Sequence, residues 1–79
     1  MEKTTNFCIK DFRSELIRKT INEVAEALTE RGYDPATQLV GYLTTTDPAY
    51  ITSYKDARKK IQALSTYDIL EEMVKQYIR

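Results

Sequence analysis

The chain has 79 residues and carries twelve basic and twelve acidic side chains, with one cysteine and no histidine. A single domain of this size builds only a small core, so it usually needs a disulfide, a metal or a partner subunit as well. The single cysteine excludes an internal disulfide, and without histidine we expect no zinc or haem site and no other cofactor. Association with a second copy of the chain is the remaining way to supplement the small core. The balanced charge favours a protein partner over nucleic acid.

The N-terminal residues 1–10 follow neither a helical nor an alternating pattern, so we predict a flexible arm before a single helical domain at residues 11–79. The first helix is predicted to begin near Asp11 or Ser14, since either side chain can cap it. Gly32 is predicted to end it in the left-handed conformation. Its apolar positions recur every three or four residues and form one stripe: Leu16, Ile17, Thr20, Ile21, Val24, Ala27 and Leu28.

The stretch Gly32–Ile51 holds both glycines and both prolines of the chain and separates two helical segments. Each proline follows an aspartate, whose carboxylate can cap a helix while the proline occupies its first position. The pair Asp34-Pro35 therefore predicts a short second helix over residues 35–43. The pair Asp47-Pro48 predicts a single helical turn at residues 47–50.

Two features of the second helix carry further expectations. Thr44, Thr45 and Thr46 follow it, and their poor helix propensity predicts a break. Gly41 within the helix costs roughly 1 kcal/mol relative to alanine, so we predict that another backbone comes close to it. That backbone could belong to this chain or to a second copy.

The C-terminal third of the chain predicts two more helices. Ser53 with Asp56, and Ser65 with Asp68, resemble capping boxes in which aspartate replaces the usual glutamate. They predict a third helix over residues 54–64 and a fourth helix after Ser65. The residues that we expect to point inward from the fourth helix are Ile69, Leu70, Met73, Val74, Tyr77 and Ile78.

These elements together predict an all-α fold, a compact bundle of four short helices plus one helical turn, with no strands. The fourth helix keeps a wide apolar face to its end, which three short helices could not comfortably cover. We therefore predict that it, or the second helix, pairs with a copy across a two-fold axis, in a homodimer that could be intertwined. The alternative is that the fourth helix completes the core of a monomer.

The sequence carries no set of residues suited to catalysis. A serine or cysteine nucleophile needs a positioned base, usually histidine, which the chain lacks. The neighbouring carboxylates Glu71 and Glu72 would point about 100° apart on a helix, so they do not face each other. No apolar run is long enough to span a membrane and no secretory signal is present, so we expect a cytoplasmic protein without direct membrane insertion.

A basic stripe, defined as Lys55, Arg58, Lys59 and Lys60, lies on the predicted third helix. Because that helix follows another after a turn, one alternative is a helix-turn-helix regulator that binds nucleic acid. Phosphate contacts supply most of the non-specific affinity for DNA, and a neutral chain offers few of them. The other interpretation is a docking surface for an anionic group, including a phosphate on the N-terminal arm.

The arm contains neighbouring hydroxyls at Thr4 and Thr5, in a segment that fits the extended groove of a kinase. A phosphate there would add nearly two negative charges close to the acidic Glu2 and the basic Lys3 and Lys10, so the arm could dock or be released. The other hydroxyls that compete as acceptors are Thr44, Thr45, Thr46, Thr52 and Ser53.

Four segments of the chain carry a resemblance to a known family: GYDPATQLVGYL, DPAYI, KDAR and DILEEMVKQYI. With EKTTNF in the arm, they resemble the IreB or ReoM family of small regulatory phosphoproteins of Gram-positive bacteria, over essentially the whole chain. The resemblance implies an all-helical homodimer without enzymatic activity.

The resemblance also implies the partners of the protein. A membrane-anchored serine/threonine kinase with extracellular PASTA domains would phosphorylate a threonine, and the cognate phosphatase would reverse the modification. The unphosphorylated form would restrain peptidoglycan synthesis by promoting proteolysis of the enzyme that commits UDP-N-acetylglucosamine to the wall pathway. The proteolysis machinery or that enzyme is therefore a further implied partner, and phosphorylation would lift the restraint.

The phosphoacceptor of the family lies in an acidic-x-threonine-hydrophobic-x-phenylalanine pattern, which falls here on residues 2–7 and marks Thr4. Thr5 stands where an apolar residue is usual, so the site could shift by one residue or become double. The acidic run that follows the pattern in the family is replaced here by a segment with Lys10 and Arg13. Other positions that match the family are Tyr33, Asp47, Tyr50, Ala57 and Arg58, and the residues that we expect to contact a partner or a phosphate are Tyr50, Arg58, Lys59 and Lys60.

Overall fold

The computed structural model describes the backbone of residues 9–78 and the side chains of residues 12–78. Within that part of the chain every regular element is helical, so the predicted all-α fold is confirmed. Two 3₁₀ turns lie between the second and third α-helices, where the sequence predicted one. The elements in order are α1 (Ile9–Glu30), α2 (Pro35–Thr45), the 3₁₀ turns Pro48–Tyr50 and Tyr54–Asp56, α3 (Ala57–Gln62) and α4 (Thr66–Ile78).

α1 begins earlier than the sequence indicated. Its first residue is Ile9, so Asp11 and Ser14 lie inside the helix and the predicted start at these residues is wrong. Apart from its last two residues, which belong to α1, the predicted arm at residues 1–10 lies outside the described part of the chain. Its flexibility stays a prediction.

The end of α1 is as predicted. Gly32 has a φ of 86°, which glycine adopts without the clash that a Cβ would cause. The N–H of Tyr33 donates to the carbonyl of Leu28 over 2.9 Å, which closes the last turn of the helix. The chain then reverses, and α2 packs back against α1.

α1 is the central helix, because it contacts α2, α3 and α4. Its predicted apolar stripe is largely buried, but Leu16 is 41% exposed and departs from the prediction. The remaining core comes from one face of each other helix and from Ile51, which is completely buried between the two 3₁₀ turns. The buried apolar side chains are Ile17, Val24, Ala27, Leu28, Leu39, Tyr42, Leu43, Ile51, Ala57, Ile61 and Ile69.

α2 begins as predicted and ends two residues later than predicted. Asp34 caps it, since its Oδ2 accepts from the N–H of Thr37 at 3.0 Å. The hydroxyls of Thr44 and Thr45 donate to carbonyls one turn back, at 2.8 and 2.7 Å, so both threonines are accommodated within the helix. The break falls on Thr46, whose φ of 58° is left-handed.

Gly41 is approached by a side chain, so the prediction of a neighbouring backbone is wrong. A Cβ placed on Gly41 would lie 2.5 Å from Cδ1 of the Tyr50 ring, which packs on this face of α2. The 3₁₀ turn that carries Tyr50 begins with the predicted cap, since Asp47 Oδ1 accepts from the N–H of Ala49 at 3.0 Å. Gln38 fixes the turn further by donating from Nε2 to the carbonyl of Tyr50 at 2.9 Å.

The start of α3 differs from the predicted capping box. The side chain of Ser53 makes no capping hydrogen bond, and the left-handed residues Lys55 and Asp56 interrupt the predicted helix. α3 therefore begins at Ala57 and has only six residues. At this point the Lys55 side chain contacts Glu30 of α1, as described below.

α4 buries less of its apolar face than the sequence predicted. Ile69 is fully buried and Met73 partly buried, but Leu70, Val74, Tyr77 and Ile78 are exposed. The prediction that these four point into the core of the single chain is wrong. The reason is that α4 packs mainly on α1, so its outer side meets no other helix of the described chain.

Candidate functional site

The predicted phosphoacceptors Thr4 and Thr5 lie outside the described residues. Their modification therefore stays a prediction, and the geometry that follows concerns the surfaces of residues 12–78. Three such surfaces stand out. They are the basic stripe, the contact between α1 and α4, and the exposed side of α4.

The structure brings two of the predicted contact residues together around Ile51. Arg58 donates from Nε to the carbonyl of Ile51 at 2.9 Å, immediately after Tyr50 in the chain. Tyr50 is 38% exposed, because one side of its ring rests on α2 while the other faces solvent. Arg58 therefore anchors the turn that presents Tyr50 through its Nε.

The two predicted contact lysines lie elsewhere on α3. Lys60 pairs with Glu23 of α1, with 3.3 Å between Nζ and Oε1, and both side chains are about two-fifths exposed. Exposed ion pairs of this kind contribute little to stability, so Lys60 can exchange its partner at low cost. Lys59 is exposed. This part of the surface is thus accessible to an anionic group.

The basic stripe gives no support to the helix-turn-helix alternative. A recognition helix lies in the major groove and contacts several bases with successive side chains. α3 has six residues, and Lys55, Arg58 and Lys60 are each engaged by an acceptor within the chain. The nearby carboxylates Glu23 and Glu30 also reduce the positive potential that DNA would need.

A cluster that sequence reasoning missed joins the start of α3 to the end of α1. Both carboxylate oxygens of Glu30 lie 3.2 Å from Lys55 Nζ. The charged groups of Arg31 and Lys55 lie over the Tyr54 ring, 5.2 and 5.4 Å from its centroid. Hydrogen bonds from Lys55 and then Tyr54 lower the pKa of Glu30, and the same bond raises the pKa of Lys55. No local pattern signals a contact between residues 25 positions apart.

The contact between α1 and α4 is also polar in part. Ser14 Oγ donates to Glu72 Oε2 at 2.6 Å, and Gln76 Nε2 donates to the same oxygen at 2.7 Å. These bonds, the one from Ser14 first, lower the pKa of Glu72. Arg13 and Asp68 form a longer ion pair of 3.9 Å one turn away. Ser14 therefore acts as a link between helices, where the sequence suggested a cap.

A groove of about 290 Å³ continues from this link along the two helices. Arg13 and Ser14 contact Asp68 and Glu72, while the groove farther along α1 is lined by residues 72–77 of α4, so the two helices run in broadly the same direction. The floor is apolar and the rim is polar, with one carboxylate and one guanidinium. The lining residues are Ile17, Arg18, Ile21, Asn22, Glu72, Met73, Gln76 and Tyr77.

The exposed side of α4 carries a regular apolar pattern, which we name the α4 seam: Tyr67, Leu70, Val74 and Tyr77. Their exposed fractions are 70%, 43%, 53% and 92%. The spacing of three, four and three residues is that of helices that pack against each other in coiled coils. Contiguous apolar exposure of this kind usually marks an interaction surface.

The described residues offer no other class of site. No group of three or more histidine, cysteine, aspartate or glutamate side chains in the described part is arranged to hold a metal ion. No helix within residues 9–78 combines the length and the hydropathy needed to cross a membrane.

Comparison with known families gives one match that covers nearly the whole chain. A family model described as IreB regulatory phosphoprotein matches residues 2–79. The matched range includes the predicted phosphoacceptors, the basic stripe and the α4 seam.

Proposed function

Because this chain belongs to the IreB family of regulatory phosphoproteins, we propose that it is a non-enzymatic switch that a serine/threonine kinase phosphorylates on Thr4, with Thr5 as the neighbouring alternative. The observation that carries the proposal is the family match over residues 2–79, which spans both threonines. The pattern of an acidic residue two positions before Thr4 and an aromatic residue three positions after it supports the choice of Thr4.

The proposed kinase is membrane-anchored with extracellular PASTA domains, and its cognate phosphatase removes the phosphate. The switch itself acts in the cytoplasm. In the unphosphorylated form it restrains peptidoglycan synthesis by promoting proteolysis of the enzyme that commits UDP-N-acetylglucosamine to the wall pathway. The support for these steps is the sequence resemblance described above, and phosphorylation lifts the restraint.

The proposed active form is a homodimer that pairs through the α4 seam. Among the described residues α4 contacts chiefly α1, and none of them covers its outer side. Pairing of α1 and α4 with the same two helices of a second copy makes a four-helix bundle, which is a stable way to bury apolar stripes on paired helices. A second copy supplies the same stripe, as two-fold symmetry requires.

The proposed partner contact lies around Tyr50, Arg58, Lys59 and Lys60. Lys59 and Lys60 are exposed and so can meet an acidic partner, while Arg58 fixes the turn that presents Tyr50. None of these residues belongs to the α4 seam, so the proposed partner contact and the proposed dimer interface use different side chains.

The test is phosphorylation of the purified protein by the kinase domain with ATP, followed by peptide mass spectrometry. We expect one phosphate on Thr4 in the native protein, none on Thr4→Ala, and retained labelling on Thr4→Ser. The control is Thr45→Ala, which removes a hydroxyl bonded within α2 and should leave labelling unchanged. Absence of phosphate from both Thr4 and Thr5, while a known substrate is labelled, would exclude the switch.

The downstream role is tested in cells by following the abundance of the wall-committing enzyme. We expect Thr4→Ala to keep this enzyme scarce when the kinase is active, because the restraint cannot be lifted. Equal abundance in cells with the native protein and with Thr4→Ala would contradict the proposed pathway while leaving phosphorylation itself intact.

A further inference from the structure

The segment between the second 3₁₀ turn and α3 holds two neighbouring residues in an unfavourable backbone conformation. Lys55 has a φ of 54° and Asp56 a φ of 61°. In this left-handed region the Cβ of an L-residue crowds its own backbone, so such residues occur singly as a rule. Two in succession persist only where surrounding contacts hold them.

The contacts that hold this turn come from the C-terminal end of α1. We call them the strap: the ion pair between Lys55 and Glu30, and the contacts of Arg31 and Lys55 with the Tyr54 ring. Tyr54 is partly buried and packs against the core, but the three charged members of the strap are exposed, and ion pairs and cation–π contacts at exposed sites are weak and salt-sensitive. The charged contacts of the strap can therefore be exchanged at low cost.

The sequence of the turn encodes a different local structure. Ser53 and Asp56 have the spacing of a capping box, and the residues after Ser53 contain no glycine or proline. The observed hydrogen bonds are not those of a helix start, since the N–H of Arg58 donates to the carbonyl of Thr52, six residues back, over 3.1 Å. In a continuous α-helix the same N–H would donate to Tyr54, four residues back.

We propose that residues 53–56 form a two-state element. In the strapped state, which the structure shows, Lys55 and Asp56 are left-handed and α3 begins at Ala57. In the extended state the strap is open, Ser53 caps the helix, and α3 begins at Tyr54. Local helix propensity favours the extended state and the tertiary strap favours the other, so the two lie close in free energy.

The exchange changes the surface that the protein presents. In the extended state Lys55 leaves Glu30 and stands four residues before Lys59 on one face of α3. Two lysines then face solvent together, and Glu30 is left free. An acidic partner that binds both lysines favours the extended state, because it gains the second contact only there. This inference does not depend on phosphorylation of the arm.

The test compares Lys55→Gly with Lys55→Ala by NMR. Both variants lose the ammonium group and hence the ion pair with Glu30, so they differ only in backbone preference. Glycine accepts a positive φ, whereas alanine opposes it and favours a helix, so the ratio of extended to strapped state should differ on the order of thirtyfold between them. We expect Lys55→Gly to keep the strong intraresidue HN–Hα contact at Asp56 that a positive φ produces.

We expect Lys55→Ala to lose that contact and to show helical HN–HN contacts from Tyr54 to Arg58, with slower amide exchange at Arg58. The control is Lys59→Ala, which removes the same charge from α3 without touching the strap and should leave the turn unchanged. Unchanged resonances of α2 verify that each variant is folded. The proposal is wrong if Lys55→Ala keeps the left-handed turn, and equally wrong if residues 53–56 become irregular in it, since the extended helix would then have no stability of its own.

Discussion

Ser14 and Glu72 join α1 and α4 through a hydrogen bond of 2.6 Å between Ser14 Oγ and Glu72 Oε2. A second donor, Gln76, reaches the same carboxylate oxygen from within α4. Glu72 therefore accepts from both helices while ionised. α4 packs chiefly on α1 and buries only Ile69 completely, so this polar link adds to a small apolar contact in holding α4 in place.

Loss of the link should loosen α4 without unfolding the rest of the chain. We expect Ser14→Ala to lower the free energy of unfolding by about 1 kcal/mol, the usual effect of one hydrogen bond at a partly buried site. Urea unfolding at fixed protein concentration measures it. A double-mutant cycle with Glu72→Ala measures the coupling between the two side chains. We expect the double variant to be destabilised less than the sum of the two single variants, and additive effects would contradict the link.

The loss of folding stability at acidic pH should reflect the protonation of three carboxylates. Glu30, Asp34 and Glu72 have pKa values below their ordinary values of 4.5, 3.8 and 4.5, chiefly because of hydrogen bonds from Lys55, Thr37 and Ser14 respectively. When folding lowers a pKa, the unfolded chain binds the proton more tightly, so the stabilisation is complete above the ordinary value and is lost as pH falls through the folded value.

We therefore expect the free energy of unfolding to change little from about pH 7 to about pH 5 through these groups, and to fall below about pH 4.5. Urea unfolding at a series of pH values measures the profile. The Glu72→Gln variant has no carboxylate to protonate at this position. Its free energy of unfolding should therefore fall less steeply than that of the native protein between about pH 4.5 and pH 3. A fall of the same steepness in both proteins would mean that Glu72 is not among the responsible groups.

The Tyr50 ring should be the reason that position 41 does not tolerate a larger residue than glycine. Gly41→Ala places a methyl group 2.5 Å from the ring, so we expect a net destabilisation of about 1–2 kcal/mol despite the better helix propensity of alanine. Thermal unfolding measures it. In a Tyr50→Ala background the clash is absent, and the same Gly41→Ala substitution should then stabilise by roughly 1 kcal/mol. A destabilising effect in both backgrounds would place the cause elsewhere.

The α4 seam should govern self-association. We expect the native protein to have about twice the 9.2 kDa mass of one chain in light scattering after size exclusion. Val74→Lys should give the single-chain mass, because an unpaired lysine at the centre of the seam opposes burial. Val40→Lys is the matched control, since Val40 is 60% exposed on α2 and Val74 is 53% exposed on α4. If the two variants have equal masses, the seam is not part of the dimer interface.

The elements that could be predicted from sequence are those fixed by neighbours along the chain. The stripe of α1, its end at Gly32, and the caps at Asp34 and Asp47 depend on periodicity and local hydrogen bonds, and all four are present. The helix break predicted from propensity does not occur at Thr44 and Thr45. Their hydroxyls bond to carbonyls one turn back, which allows the helix to continue through them.

The features that sequence did not predict depend on residues far apart. The start of α3 lies beside the contact of Lys55 with Glu30, 25 positions away, where the local capping pattern predicted a longer helix. The neighbour of Gly41 comes from a turn that folds back after Thr46. The exposed seam of α4 looks like a core face in sequence, because periodicity reports that a face is apolar and not whether the same chain covers it.

The common direction of α1 and α4 determines how the chain has to assemble. Parallel neighbours cannot be joined by a short loop, so residues 31–65 act as one long crossover that contains α2, α3 and both 3₁₀ turns. α4 therefore packs beside a helix that lies on the far side of the whole crossover in sequence. Contacts between such distant parts of the chain slow folding compared with an up-and-down bundle of the same length.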